Sequence, residues 1–203
     1  NTQAIFDAGN DFEQYAEALF PDGVTLGFNN YNEYTSLPSR TQAAVAGEVK
    51  TLFQGRFEAG ELTCIFDLLH RVEGNLFDLY EIKSSTREKY EHILDLAFQK
   101  LVLEQSGIQI RNVSVIVVDI NYVRRGDIDP KQLTRTIDVT KRVDVMRQQT
   151  EANIASALET LHAPTCPDLS PRHAGQAHLK DWLEIFRALK LDTDPYSIYQ
   201  MSS

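Results

Sequence analysis

Cysteine is scarce in this chain: only Cys64 and Cys166 occur in 203 residues. Two thiols so far apart make no disulfide framework, and a reducing, cytoplasmic compartment is expected. Long apolar runs are missing as well. None reaches the ~18 residues that cross a bilayer, and no signal-peptide pattern is visible, so no membrane partner is expected. Positive charge is in deficit, with 20 Lys and Arg against 29 Asp and Glu and a net charge of −9. That balance counts against a broad nucleic-acid-binding surface but leaves room for a local basic strip. Strip candidates are Arg124, Arg125, Lys131, Arg135, Lys141, Arg142 and Arg147, for which a solvated face is the ordinary explanation. No glycine-rich phosphate loop, Ser-His-Asp order or Cys-His pair offers a catalytic signature. The chain starts at Asn1 rather than Met, as a processed product or an excerpt does.

What is present has the balance of a folded domain: 42% hydrophobic and 24% charged residues. The length suits one domain with a sizeable core. Its organising stretch is Cys64 to Thr86, which reads as two strands joined by a turn at Glu73-Gly74-Asn75. Gly and Asn tolerate the positive φ of a tight hairpin. With Gly74 at the centre, residues whose numbers sum to 148 face one another, and Asp67 lies opposite Glu81. Their Cβ atoms are then expected about 5 Å apart, with Lys83 on the same face, two residues on.

Like charges directly opposite are unfavourable unless a cation lies between them. A divalent metal and the Lys83 ammonium are the natural candidates, and hard carboxylate oxygens suit Mg²⁺ or Mn²⁺. Ordinary polar positions on a solvated face are the competing explanation. Asp67, however, sits among Ile65, Phe66, Leu68 and Leu69, an unusual place for an idle charge.

Asp67, thirteen intervening residues, then Glu81-Ile82-Lys83 resembles the D…(D/E)xK signature of the PD-(D/E)XK nuclease superfamily. The text DLYEIKSS at 78–85, DLAFQKLVLEQSG at 95–107 and YVRRGDIDP at 122–130 is similar to a bacterial domain of the RecB-type branch. The resemblance covers roughly residues 4 to 162. It implies an α/β fold with a mixed central β-sheet flanked by helices, the restriction-endonuclease-like core. It also implies a metal held by Asp67, Glu81 and the Ile82 carbonyl, with Lys83 and Gln99 as catalytic partners. In that branch the first helix carries a small residue and then a His or Glu that joins the metal. Here the register gives Gly9-Asn10-Asp11. Asp11 is the best match, Asn10 stands where relatives often have His, and Glu13 is the fallback. Gln54 stands where relatives often have Glu, and Leu103 where an aromatic is frequent. Some relatives hold an iron–sulfur cluster through four cysteines, three of them after residue 162. Only Cys166 is present there, so no cluster is expected. Cys166, His173 and His178 match no strong zinc spacing.

The remaining elements follow from periodicity. Residues 4–20 carry Ile5, Ala8, Phe12, Ala16 and Leu19 at helical spacing, ended by Pro21. Residues 21–40 read as a loop with Tyr31 and Tyr34 folding back, 41–46 as a short helix, and 48–57 as the first strand of the sheet. Tyr90 to Gln105 reads as a helix buried through Tyr90, Ile93 or Leu94, Ala97 and Leu101, with His92, Asp95 and Gln99 in a polar line. Val113 to Ile120 reads as a buried strand parallel to its neighbour, because a helix crosses between them. A loop over 121–130 and a strand over 136–139 come next. Thr140 is then expected as the N-cap of a long helix over 141–161, turning Val143, Met146, Thr150, Ile154, Ala157 and Leu161 inward. Residues 1–162 are expected to form the nuclease-like domain. Residues 163–203 should add a loop and a last helix over 179–189, packed on that domain.

The function implied is metal-dependent hydrolysis of phosphodiester bonds, in DNA in preference to RNA. Two alternatives stay open, a silent nuclease-fold binding domain and a metal phosphoesterase of small nucleotides. Oligomeric state is left open.

Overall fold

The computed structural model describes residues 12–165, 168–171 and 179–189. Contacts divide the chain into two compact units, Asn1–Glu151 and Ala152–Ser203.

In the first unit, residues 12–17 form a helical segment, α1, followed by strand β1 (Val24–Thr25) and helix α2 (Tyr31–Ala46). Three antiparallel strands come next: β2 (Thr51–Ala59), β3 (Leu62–Glu73) and β4 (Leu76–Lys83). Helix α3 (Tyr90–Gln105) crosses to β5 (Gln109–Val118), which lies parallel to β4 as expected for a helical crossover. The short helix α4 (Pro130–Leu133), strand β6 (Thr134–Asp138) and helix α5 (Thr140–Val145) complete the run. Among the described residues the sheet has six strands in sequence order, with β1 parallel to β2 and β6 antiparallel to β5. The fold is α/β, with a mixed sheet flanked by helices.

Each face of the sheet has its own core. On one face Leu52, Phe66, Leu69, Phe77, Leu79 and Val115 pack with Ile93, Leu96 and Ala97 of α3. On the other, Phe53, Leu68, Ile82 and Ile116 meet Phe12 and Ala16 of α1. Full burial of one such large apolar side chain is worth about 1.5–3 kcal/mol, so these two layers fix the sheet's orientation. Gly55 has no room for a side chain, because a Cβ there would lie 2.4 Å from the Phe66 ring.

The β3–β4 hairpin keeps the expected register: Leu68 faces Tyr80, Leu69 faces Leu79 and His70 faces Asp78. Gly74 turns the chain at a φ of 48°, and a bulge between Arg71 and Glu73 absorbs the irregularity.

Several local expectations are corrected. Residues 21–40 are not a loop: they hold β1 and most of α2, so β2 is the sheet's second strand. Asn30 starts α2 by accepting the Glu33 N–H at 3.0 Å. Pro38 lies inside the helix and leaves the Tyr34 carbonyl without its usual donor. Arg56 supplies one, its Nη1 donating to that carbonyl at 3.0 Å while its guanidinium stacks 3.9 Å from the Tyr34 ring centroid. Tyr34 therefore folds back, whereas Tyr31 is 77% exposed. Tyr90 is exposed too, since the buried side of α3 begins at His92 and Ile93.

Thr140 is not an N-cap. Val139 holds that position, and the Thr140 hydroxyl is drawn to β5, accepting the Val113 N–H at 2.9 Å. The expected helix over 141–161 is two helices. The Met146 N–H turns back to the Val143 carbonyl at 3.0 Å, ending α5, and α6 runs from Arg147 to His162. Val143 and Thr150 are buried, while Ala157 and Leu161 are exposed.

In the second unit, α7 (Leu179–Ala188) buries Phe186, and the Trp182 indole donates to the Leu169 carbonyl at 2.9 Å. Asp11, Cys166, His173 and His178 lie outside the described residues. Among the described residues no helix is long and apolar enough to cross a membrane.

Candidate active site

The site forms where the hairpin opens. Pairing between β3 and β4 stops at Leu68–Tyr80, one step short of Asp67 and Glu81. Before that point β3 pairs with β2 alone, and beyond it β4 pairs with β5. Opposite Asp67 on β2 stands Gln54, in a left-handed conformation at a φ of 53°. Neighbouring residues on either side of it pair regularly, Phe53 with Leu68 and Gly55 with Phe66. The strained Gln54 and the missing Asp67–Glu81 pair mark one local fork in the sheet.

Asp67 closes that fork through its side chain. Its Oδ2 accepts the Ile82 N–H at 2.8 Å, in place of a backbone partner from β3. The N–H and C=O of one strand residue point to the same neighbour, so the Ile82 carbonyl shares this edge. Glu81 alternates with Phe77 and Leu79 onto the face that carries α3, and is 2% exposed. Its Oε1 pairs with Lys83 Nζ at 2.5 Å, and its Oε2 accepts from Gln99 Nε2 at 3.0 Å. Asp67, Glu81, Lys83 and Gln99 thus come together.

The electrostatics follow from burial. Loss of water pushes the Asp67 carboxyl up to about 7, and the Glu81 charge adds to the rise. The Ile82 N–H and Lys83 oppose it, while Glu13 raises it slightly. Burial works to lower the Lys83 ammonium, but Glu81, Asp67 and Asp95 outweigh it, and its pKa is raised. Lys83 therefore stays cationic at neutral pH.

Further groups lie close by. Glu13 of α1 accepts from Gln54 Nε2 at 2.7 Å, at the β2 side of the fork. His92 is 7% exposed, and its Nδ1 accepts the Lys89 N–H at 3.2 Å, which places the ring proton on Nε2. Burial and the Lys83 charge hold its pKa down. Its position seven residues before Gln99 was visible in the sequence, but its burial was not. Asp95, third in that polar line, is exposed.

Two observations test a divalent ion against these residues. The donors are carboxylate, carbonyl and amide oxygens, the set that Mg²⁺ and Mn²⁺ prefer. The Gln99 Oε1 is buried without a hydrogen-bond partner among the described residues, an oxygen that an ion or its water would satisfy. Among the same residues no group of three or more His, Cys, Asp or Glu side chains stands arranged to hold a metal ion. Asp67 and Glu81 are a pair, and Glu13 is tied to Gln54.

Of the strip candidates, Arg142 pairs with Glu88 at 2.7 Å, and Arg147 with Glu104 and Glu151. Arg135 donates to the Thr86 carbonyl at 3.2 Å. Compared with models of protein families and with curated proteins, the chain matches none.

Proposed function

We propose that this protein is a metal-dependent nuclease of the PD-(D/E)XK type, RecB-type branch, hydrolysing phosphodiester bonds in DNA. The reading is carried by one observation: Asp67 and Glu81 converge from adjoining strands at a fork, with Lys83 2.5 Å from Glu81. Asp67, Glu81 and the Ile82 carbonyl would hold Mg²⁺ or Mn²⁺, with Asp11 as a further ligand. Such an ion lowers the pKa of a bound water and offsets charge on a phosphoryl oxygen.

The chain's own groups do the remaining work. Lys83, kept cationic by its acidic neighbours, neutralises charge that grows on the phosphate or orients the attacking water. Gln99 holds one oxygen of Glu81 through its amide nitrogen, which leaves its Oε1 to position that water. The Ile82 N–H fixes the Asp67 carboxylate, so the two acids keep their separation when the substrate changes the local charge.

A silent nuclease-fold binding domain is the second reading. The closed Glu81–Lys83 pair favours it, and so does the absence, among the described residues, of a group of three or more His, Cys, Asp or Glu side chains arranged to hold a metal. Mn²⁺-dependent cleavage of single- and double-stranded DNA by the wild type and by Lys83→Ala separates the two. Cleavage that disappears with Lys83 supports the nuclease, and absent cleavage in the wild type supports the silent domain. Release of phosphate from free nucleotides without cutting of DNA would indicate a small-nucleotide phosphoesterase.

A further inference from the structure

Helices α3 and α5 leave an apolar cleft of about 360 Å³, lined by Tyr90 and Ile93 of α3 and by Lys141, Arg142, Val145 and Met146. It lies at the break between α5 and α6, where the Met146 N–H turns back to the Val143 carbonyl. Ile93 belongs to the core beneath, whereas Tyr90 is 61% and Val145 80% exposed. Neither exposed side chain is accounted for by packing within the fold. Contiguous apolar surface of this kind marks a place where something binds.

The mouth of the cleft is cationic. The acids around it are already engaged: Glu88 with Arg142 at 2.7 Å, Asp144 with Lys100 at 2.6 Å, and Glu91 with Lys89 at 3.3 Å. Asp138 is held by Thr140, whose N–H it accepts at 2.8 Å, and the Lys141 charge reaches it only through space. Lys141 is exposed and forms no ion pair among the described residues. Arg142 uses Nη1 on Glu88, and its other donors have no partner among the same residues. An apolar interior thus opens beside a surplus positive charge.

We infer that this cleft binds a free aliphatic carboxylate, its hydrocarbon chain against Ile93, Val145 and Met146 and its anionic end at Lys141. The inference is independent of the nuclease reading. The volume lies at the lower end of the range for small organic ligands, about 300–1,000 Å³, which suits one chain. Apart from the two cations and the Tyr90 hydroxyl, the lining side chains offer no hydrogen-bonding group, so the enclosed part of the ligand is apolar. The Lys141 and Arg142 stems extend that wall while their charged ends stay in water, which leaves the carboxylate at the rim. A free acid is favoured over a bilayer lipid, because the net charge of −9 repels an anionic membrane surface.

The test is calorimetric titration of the full chain with decanoate, octanoate, decanol and decyltrimethylammonium. The wild type is compared with Val145→Asp and Lys141→Ala, both exposed positions, after circular dichroism confirms each fold. Decanoate should bind at one saturable site. Octanoate should bind roughly fifteenfold more weakly, about fourfold for each methylene lost from the cleft. Val145→Asp should weaken decanoate at least tenfold, and Lys141→Ala about threefold, as for an exposed ion pair. Absence of saturable uptake by the wild type, or uptake indifferent to Val145→Asp, overturns the proposal. Equal affinity for decanol or decyltrimethylammonium overturns the carboxylate assignment. Anionic phospholipid vesicles that bind with the same dependence on Val145 and Lys141 overturn the free acid as the source. If sedimentation shows a dimer that Val145→Asp dissociates and decanoate leaves intact, the cleft is a contact between two copies and the proposal falls.

Discussion

The Asp67 carboxylate accepts the Ile82 N–H at 2.8 Å and stands in for the backbone pair that β3 and β4 no longer make. One side chain therefore does two jobs. It satisfies a strand N–H at the fork, and it brings an acid within reach of Glu81. The arrangement carries an electrostatic cost, because both acids are largely removed from water and like in charge.

That cost sets a pH dependence. The folded Asp67 holds its proton up to about 7, whereas in the unfolded chain it is lost near 3.8. Between those values the folded state binds the extra proton, so stability falls as pH rises and levels off above about 7. The full difference amounts to about 4 kcal/mol at most. Denaturant unfolding in chelator from pH 4 to 8 should show this fall, and Asp67→Asn should flatten it. An equal slope in the variant would contradict the assignment.

On the nuclease reading, the same proton competes with a bound metal. Mn²⁺ affinity should decline below pH 7, approaching roughly tenfold per pH unit. Calorimetry in buffers of different ionisation heat should show a proton released on binding. Affinity that holds level from pH 7 to 5 would place the ion elsewhere.

Glu81 depends on Lys83 for compensation. Lys83→Met leaves a buried carboxylate with the Gln99 amide alone, and stability should drop by about 1–3 kcal/mol, less than for a fully buried pair because Lys83 is 36% exposed. Adding Glu81→Gln should return most of the loss. Chemical unfolding of the two single variants and the double variant measures the coupling, and simple additivity would deny it.

Arg56 should prove a structural position of similar weight. It stacks on Tyr34, donates to the Tyr34 carbonyl, and pairs with Glu58 at 2.6 Å. Arg56→Met should cost about 2–4 kcal/mol. In a Pro38→Ala background the cost should be smaller by about 1 kcal/mol, because residue 38 regains the N–H that serves Tyr34. Thermal melts of the four proteins check this.

The hairpin was legible because Gly74 marks the turn between two apolar runs, and centring the register on it places Asp67 near Glu81. The α3 helix was legible to its last residue through its apolar spacing. The fork was not. Nothing in the alternation around Asp67 announces that pairing stops there, and the left-handed Gln54 opposite it lies on another strand. The α2 helix was hidden by Pro38, whose penalty is offset by Arg56, eighteen residues away. The burial of His92 and Gln99 was not legible, because α3 is covered on more sides than its own periodicity requires. The break at Met146 followed the same pattern: apolar spacing continues through it while the hydrogen bonds do not.

Calorimetric titration of Mn²⁺ into the chelator-stripped wild type, Glu81→Gln and Asp67→Asn tests the central claim most directly. The account predicts saturable uptake by the wild type and at least a tenfold loss of affinity in each variant, with all three folded. Uptake of equal affinity in the three proteins, or none in the wild type, would contradict it.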